Sequence, residues 1–348
     1  MALLGSYNTG MEQTTAEKPV VDAAREWPSI VAPYKEANAF KALNHLLTAL
    51  ALLALTAFLM VKCLDHRFGW IPMLLLSVPA GALIVKLFAI QHDAGHGALF
   101  NQKWANDLVG GLLSFLVLTP YRQWAREHAK HHATSGNLEF RGIGDVDTWT
   151  VKEFKAATGW QRFWYRVYRN PLFLFGPGAL GYFFFKQRFV WYNPRRLESW
   201  VSVWSTNLAI TAFVIGMCRW IGTGAFFAIY VPSFWVGSAF GTWIFYVGHQ
   251  FDDSYFAPDK DWDFFDASMK GASFYDMPWI FHYLTCNIGF HHIHHLCSKI
   301  PFYNLPKCHK ENAAFHVVPI RMWESFSFGT LALWDEQAKK MVRFSEVA

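Results

Sequence analysis

Four stretches of this chain, residues 43–61, 70–90, 203–221 and 223–247, are nineteen to twenty-five residues long and almost wholly apolar. At 1.5 Å per residue, nineteen helical residues reach roughly 28 Å, close to the hydrocarbon thickness of a bilayer. Short connections, 62–69 and around Gly222, join them in pairs. The expected fold is all-α: an integral membrane protein with four transmembrane helices arranged as two hairpins. Residues 107–119 and 171–191 are also apolar, but the first is short and the second carries Pro171, Gly176, Pro177, Gly178, Gly181, Lys186 and Arg188. Both are read as interfacial or buried segments; crossing the membrane with both would give a six-span protein.

Composition agrees with a membrane protein. Charged residues are 16% of the 348, against about 25% in an ordinary soluble domain. Aromatics reach 18%, which excludes a disordered chain. The 5 Cys are odd in number and form no C-x-x-C pair, so reduced, buried thiols are expected, with neither a disulfide scaffold nor a zinc ribbon. A net charge of +5 suits an anionic membrane surface or an acidic partner and does not call for nucleic acid.

Charge also orients the hairpins. The connection from Gln91 to Ser202 holds fourteen Lys and Arg, whereas the outer connections hold only Lys62, Arg67 and Arg219. Basic segments stay inside, so the long connection and both termini are assigned to the cytoplasm. Residues 1–40 carry Glu12, Glu17, Asp22, Glu26 and Glu36 and lack the apolar core of a secretory signal. The chain divides into a cytoplasmic arm (1–42), a membrane domain (43–316) and a cytoplasmic C-terminal tail (317–348). Lys86 lies six residues before His92, about 9 Å along a helix, and is expected to snorkel to the cytoplasmic headgroups.

The chain holds 15 His, and eight fall in three clusters. The first is His92 and His96. The second is His128, His131 and His132. The third is His291, His294 and His295, with His292 one residue out of frame. Residues three and four apart share a helix face, so each cluster presents two or three imidazoles in one direction, while His292 points about 100° away. Such clusters read as metal ligands. Eight imidazoles exceed the needs of one metal, so two metals with four or five nitrogens each are expected. The Glu-x-x-His repeat of carboxylate-bridged bundles is absent. With two spans between the second cluster and the third, all clusters fall on one side of the membrane.

The ordered motifs HDAGH, HAKHH and HHIHH resemble those of the membrane-bound fatty acid desaturase family. The likeness includes Tyr121 to Trp124, Ala133 to Asn137, Gly144 to Val146, Gly248 to Asp253, Asp261 to Asp263, Asn287 to Phe290 and Ile300 to Leu305. It is similar above all to bacterial acyl-lipid desaturases of the omega-6 (delta-12) type. The resemblance implies a non-haem di-iron centre, two Fe ions held by His92, His96, His128, His131, His132, His291, His294 and His295. His249, just after the fourth span, matches the family's isolated ligand. It also implies an O2-dependent oxidoreductase that takes two electrons and places a cis double bond in a lipid-linked acyl chain. Box one has Ala94 where many relatives carry Cys, so that position is not expected to bind metal. No His-Pro-Gly-Gly motif occurs; the electrons are expected from a separate protein such as ferredoxin rather than a fused cytochrome b5.

The chemistry fits such a site. A saturated chain has no acidic proton, and side-chain acid–base catalysis, roughly 10²–10⁴-fold, does not break its C–H bonds. A redox-active metal must supply the oxidant, which zinc cannot. Imidazole ligands need their second nitrogen oriented, and Asp93, Glu127, Asp145, Asp252 and Asp253 lie near the clusters as candidates. The expected substrate is a phospholipid or glycolipid, with coenzyme A or carrier-protein thioesters as other carriers, and the expected setting is a bacterial cytoplasmic membrane. The same scaffold suits a hydroxylase, an acetylenase or a carotenoid ketolase. A haem carrier would place paired His within the spans, and a zinc hydrolase would need fewer of them.

Overall fold

The computed structural model describes residues 22–65 and 69–347; His66 and the first half of the arm lie outside them. Helix α1 (Ala23–Val31) leads into the long pair α2 (Ala39–Asp65) and α3 (Trp70–His96). The cap begins with α4 (Lys103–Leu113), α5 (Tyr121–Thr134), α6 (Val151–Ala156), α7 (Gly159–Arg169), α8 (Pro171–Phe173) and α9 (Ala179–Phe184). The second long pair is α10 (Leu197–Ile221) and α11 (Thr223–His249). Among the cap helices that follow are α12 (Phe264–Gly271), α13 (Trp279–Leu284) and α14 (His291–Leu296).

The four long helices are each long and apolar enough to cross a membrane. Their outward faces expose Leu47, Leu55, Phe58, Leu75, Trp204 and Leu208, the surface that lipid covers and water would not tolerate. At 27 residues, α3 and α11 are about 40 Å long, longer than the hydrocarbon. Their last turns therefore project beyond it, carrying His92, His96 and His249.

These two helices meet backbone to backbone. A Cβ on Gly81 would stand 2.7 Å from the Gly237 amide nitrogen and 2.8 Å from the Ser233 carbonyl. In lipid, helix association rests on such close packing because water gives no driving force. From Gly81 to His92, and from Gly237 to His249, is about 16–18 Å along each axis. One contact thus sets the height and spacing of two parts of the site.

The two shorter apolar stretches do not span. Helix α4 has 11 residues and exposes Trp104, Leu108 and Leu112 on one face. Residues 171–191 break into α8, a wide turn over Leu174–Gly178 that kinks at Gly176, and α9. Pro177, with no N–H and a fixed φ, prevents a continuous helix there.

The fold is mostly helical, with two small sheets in the cap. β1 (Trp149–Thr150) pairs in parallel with β4 (Leu331–Asp335), which pairs antiparallel with β5 (Lys340–Arg343). β2 (Phe274–Asp276) pairs in parallel with β3 (Pro319–Arg321). The residues read as a C-terminal tail thus supply β3, β4 and β5 and are held firmly. Buried Arg169 donates to the carbonyls of Asp147 (3.2 Å) and Leu331 (2.7 Å) and to Gln250 Oε1 (2.8 Å). The hydroxyls of Tyr246 and Tyr165 donate to Leu331 and Ala332 carbonyls, each at 2.7 Å.

Lys86 does not snorkel. It is fully buried, donates to the Tyr283 carbonyl at 2.6 Å, and stands 3.3 Å from His45 Nδ1 and 3.6 Å above the Tyr283 ring. Its face of α3 is covered by α2 and α13, so a carbonyl at the end of α13 and an aromatic face replace the headgroups. All five Cys are free, and Cys286, Cys297 and Cys308 are buried.

Candidate metal centre

Four elements bring nine imidazoles together. α3 carries His92 and His96 and stops at Gly97, whose left-handed φ of 65° ends the helix. α5 starts after Pro120 and carries His128, His131 and His132. His249 is the last residue of α11. α14 follows two residues of positive φ, Cys286 and Asn287, a sharp reversal that turns His291, His294 and His295 back toward the other helices.

The rings form two groups. One nitrogen from each of His92, His96, His128, His132 and His294 lies within 4.8 Å of all the others, and His131, His249 and His295 form a second such set. His291 joins the second set, its Nε2 2.9 Å from His249 Nε2. Each H-x-x-H-H box feeds both groups. On α5, His128 and His132 go to the five-nitrogen group and His131 to the other. On α14, His291 and His295 go to the four-nitrogen group and His294 to the other.

The donor set fits two metal ions. With metal–imidazole bonds of about 2.1 Å, ligands at right angles stand about 3 Å apart. The observed Nε2 separations are 3.0 Å for His128–His132, 3.1 Å for His131–His249 and 3.3 Å for His92–His96. His294 has neither ring nitrogen hydrogen-bonded, and His295 Nε2 is also unpartnered, although both side chains are buried. A buried polar atom without a partner is costly, and a bound cation relieves that cost. Burial pushes His128, His132, His291, His294 and His295 well below the ordinary imidazole range, so these rings are neutral at pH 7 with a lone pair free.

The five candidate orienting carboxylates have different positions. Asp145 contacts Nδ1 of His131. Asp93 is 3.6 Å from His92 Nδ1 and accepts the Phe302 amide at 2.7 Å, tying α3 to the loop after box three. Glu127 is buried near Gly144; burial pushes its carboxyl up to about 7, against the opposing pull of Lys186. Asp252 and Asp253 are exposed and hydrogen-bond to no ring of the cluster. The chain turns outward after His249, and the Asp252 carbonyl accepts the Met341 amide instead. Asp145→Asn is expected to lower metal affinity or activity by roughly 10–100-fold while the fold remains; metal titration of the purified protein, with circular dichroism as control, checks this.

Other groups at the site were not legible in the sequence. His249 Nδ1 donates to the Gly271 carbonyl at 3.0 Å. Trp124 stacks on His128 with centroids 4.6 Å apart. Gly248 leaves room for His291, whose Cδ2 would be 2.8 Å from a Cβ there. Of the unassigned His, His292 is buried but turned away, its Nε2 3.0 Å from the Phe315 carbonyl. His282, His309 and His316 are likewise outside both groups.

A largely apolar cavity of about 650 Å³ reaches the centre; His92, His128 and His291 line it together with Val85, Phe88, Phe234 and Phe245. Its size falls within the range for small-molecule sites, about 300–1,000 Å³.

Comparison with known proteins gives the same assignment. The fatty acid desaturase family model matches residues 68–324. A fatty acid desaturase of Bacillus subtilis (strain 168) is 40% identical over 275 residues, 79% of this chain and 78% of that one. The sn-1 oleoyl-lipid 12-desaturase of Synechocystis sp. (strain ATCC 27184 / PCC 6803 / Kazusa) is 29% identical over 243 residues, 67% of this chain and 66% of its own. The sn-1 acyl-lipid omega-3 desaturase (ferredoxin) of Nostoc sp. (strain 36) is 27% identical over 240 residues, 65% and 63% of the two chains. With its four apolar helices, two buried histidine groups able to hold metal and matches along most of its length, the chain belongs to the fatty acid desaturase family, membrane oxidoreductases that act on acyl chains.

Proposed function

We propose that this protein is an O2-dependent acyl-lipid desaturase that introduces a cis double bond, of the omega-6 (delta-12) type, using a di-iron centre and two electrons from a separate ferredoxin-like donor. The observation that carries the reading is a largely apolar cavity lined by His92, His128 and His291, three of nine converging imidazoles. The iron ligands are His92, His96, His128, His132 and His294 at one ion and His131, His249, His291 and His295 at the other. Iron held there would supply the redox chemistry that, with O2 and two electrons from the donor, lets two hydrogens leave adjacent methylenes as O2 is reduced to water.

The remaining work falls to the chain. Val85, Phe88, Phe234 and Phe245 hold a flexible acyl segment straight and exclude water. Fixing the reacting carbons near the centre converts binding into orientation. Asp145 and the Gly271 carbonyl hold His131 and His249 in one ring orientation. The histidine boxes and both termini face the cytoplasm of a bacterial membrane, where the soluble donor has access. Residues 1–42, 43–316 and 317–348 serve as arm, catalytic domain and a C-terminal segment that buttresses the cap.

The test is expression in a host lacking polyunsaturated lipids, with double bonds located by mass spectrometry and metals measured on the purified protein. Dienoic lipids with the new bond at the omega-6 position and about two irons per chain are expected. A hydroxylated or acetylenic product would overturn the reaction assignment. Haem absorbance, or stoichiometric zinc alone, would overturn the cofactor assignment.

A further inference from the structure

The cavity wall is mostly apolar, and among the described residues that line it Lys186 is the one lysine or arginine. Lys186 is exposed, and the exposed rings of Phe185 and Phe189 flank it in sequence. Its ammonium lies 4.0 Å above the Trp191 ring and 5.2 Å from the Tyr182 ring centre, so its stem is guided by aromatic faces. Among the described residues no carboxylate is within ion-pair distance of it, although Glu127 on the same cavity wall is near enough to feel its charge. Beside it the Trp191 indole N–H is buried with no hydrogen-bond partner. Just after α9, a cation on the cavity wall thus stands over a ring with an unused N–H donor, while the histidines and the carboxylates Asp93, Glu127 and Asp145 supply the other charged or ionisable groups of an otherwise apolar lining.

We propose that Lys186, with the Trp191 indole N–H, is the headgroup subsite of this enzyme and binds the phosphodiester anion of a phospholipid whose acyl chain fills the cavity. The inference rests on the desaturase reading above and deepens it by naming the class of carrier. Ammonium binds phosphate as a point charge and the indole donates a hydrogen bond. A phosphodiester could come from a glycerophospholipid or from coenzyme A. One cation with one neutral donor matches the single negative charge of the former, whereas a coenzyme A thioester brings several phosphate charges. A glycolipid, uncharged, gains nothing from Lys186.

The test uses the full-length, metal-loaded protein in detergent with its electron donor. Substrates are phosphatidylglycerol, a diglycosyl diacylglycerol and an acyl-CoA bearing the same acyl chain. Lys186→Gln is expected to raise KM for phosphatidylglycerol about tenfold, leave kcat within twofold, and leave KM for the glycolipid unchanged; Lys186→Arg is expected to restore most of the loss. Native mass spectrometry of the metal-free protein should show the same loss of bound short-chain phosphatidylglycerol in Lys186→Gln, independent of turnover. Equal effects on both lipids, no effect on either, or preferred turnover of the acyl-CoA would overturn the headgroup assignment. If the unaltered protein desaturates none of the three, the desaturase reading itself falls and the subsite falls with it.

Discussion

His294→Ala is expected to abolish desaturation and to lower bound iron from about two ions per chain to at most one, with membrane insertion unchanged. Among the described residues His294 has no other partner to serve. It is buried, and neither ring nitrogen has a hydrogen-bond partner in the protein. Its nitrogen groups with those of His92, His96, His128 and His132. Losing a partner that merely orients a ligand costs roughly 10–100-fold, so losing the ligand should exceed that range. The neighbouring control is His292→Ala. That ring points to the Phe315 carbonyl, so its loss should lower thermal stability and leave the iron count intact. Metal analysis and product chromatography on the two variants side by side read the difference. Full activity in His294→Ala would refute the ligand assignment.

Gly81→Leu is expected to be the most damaging substitution away from the histidines. Its Cβ would lie 2.7 Å from the Gly237 amide nitrogen and 2.8 Å from the Ser233 carbonyl, both backbone atoms of α11. Backbone cannot move aside as a side-chain tip can, so α3 and α11 must separate. Overpacking a well-filled interior costs about 1–3 kcal/mol or more; here the upper end is expected, with most of the protein lost to aggregation on detergent extraction. Any folded fraction should have weakened metal binding, because the same helices deliver His92, His96 and His249. Size-exclusion profiles and the iron-to-protein ratio of the monodisperse peak measure both effects. Gly111→Leu, where a Cβ meets nothing within 4 Å, is the control and should behave like the unaltered protein.

Much of this molecule is local information. The four apolar runs give the four long helices, with α2 starting at Ala39 and α10 at Leu197, a little earlier than hydropathy alone suggested. The spacing of the boxes gives the common face of His128, His131 and His132, and that of His291, His294 and His295. What spacing does not give is the division of the rings into two groups. On a helix, i and i+4 lie nearly in line while i+3 is offset to the other side. That offset sends His131 and His294 to the opposite groups from their box-mates once the two helices face each other.

The differences have the same origin. Distance along α3 places Lys86 at the membrane surface, but a helix direction says nothing of what covers a given face; α2 and α13 cover this one. Nearness in sequence to His249 points to Asp252 and Asp253, yet the helix ends there and the chain turns them outward. Residues 317–348 hold no long periodic run, so their strands were not legible. Their partners, Arg169, Tyr165 and Tyr246, lie roughly a hundred residues or more away in sequence.

The sequence by itself determined that this chain crosses a membrane, that its imidazoles gather on one side, and that they suit two metals. Those conclusions follow from composition, length and helical period, each a property of neighbouring residues. Only the tertiary structure decided which ring joins which nitrogen group, which carboxylates touch a ring, and that Lys186 lines the apolar cavity. These depend on how faces of separate helices meet, and that is fixed by packing at places such as Gly81 and Gly237, where the absence of a side chain leaves no trace in hydropathy.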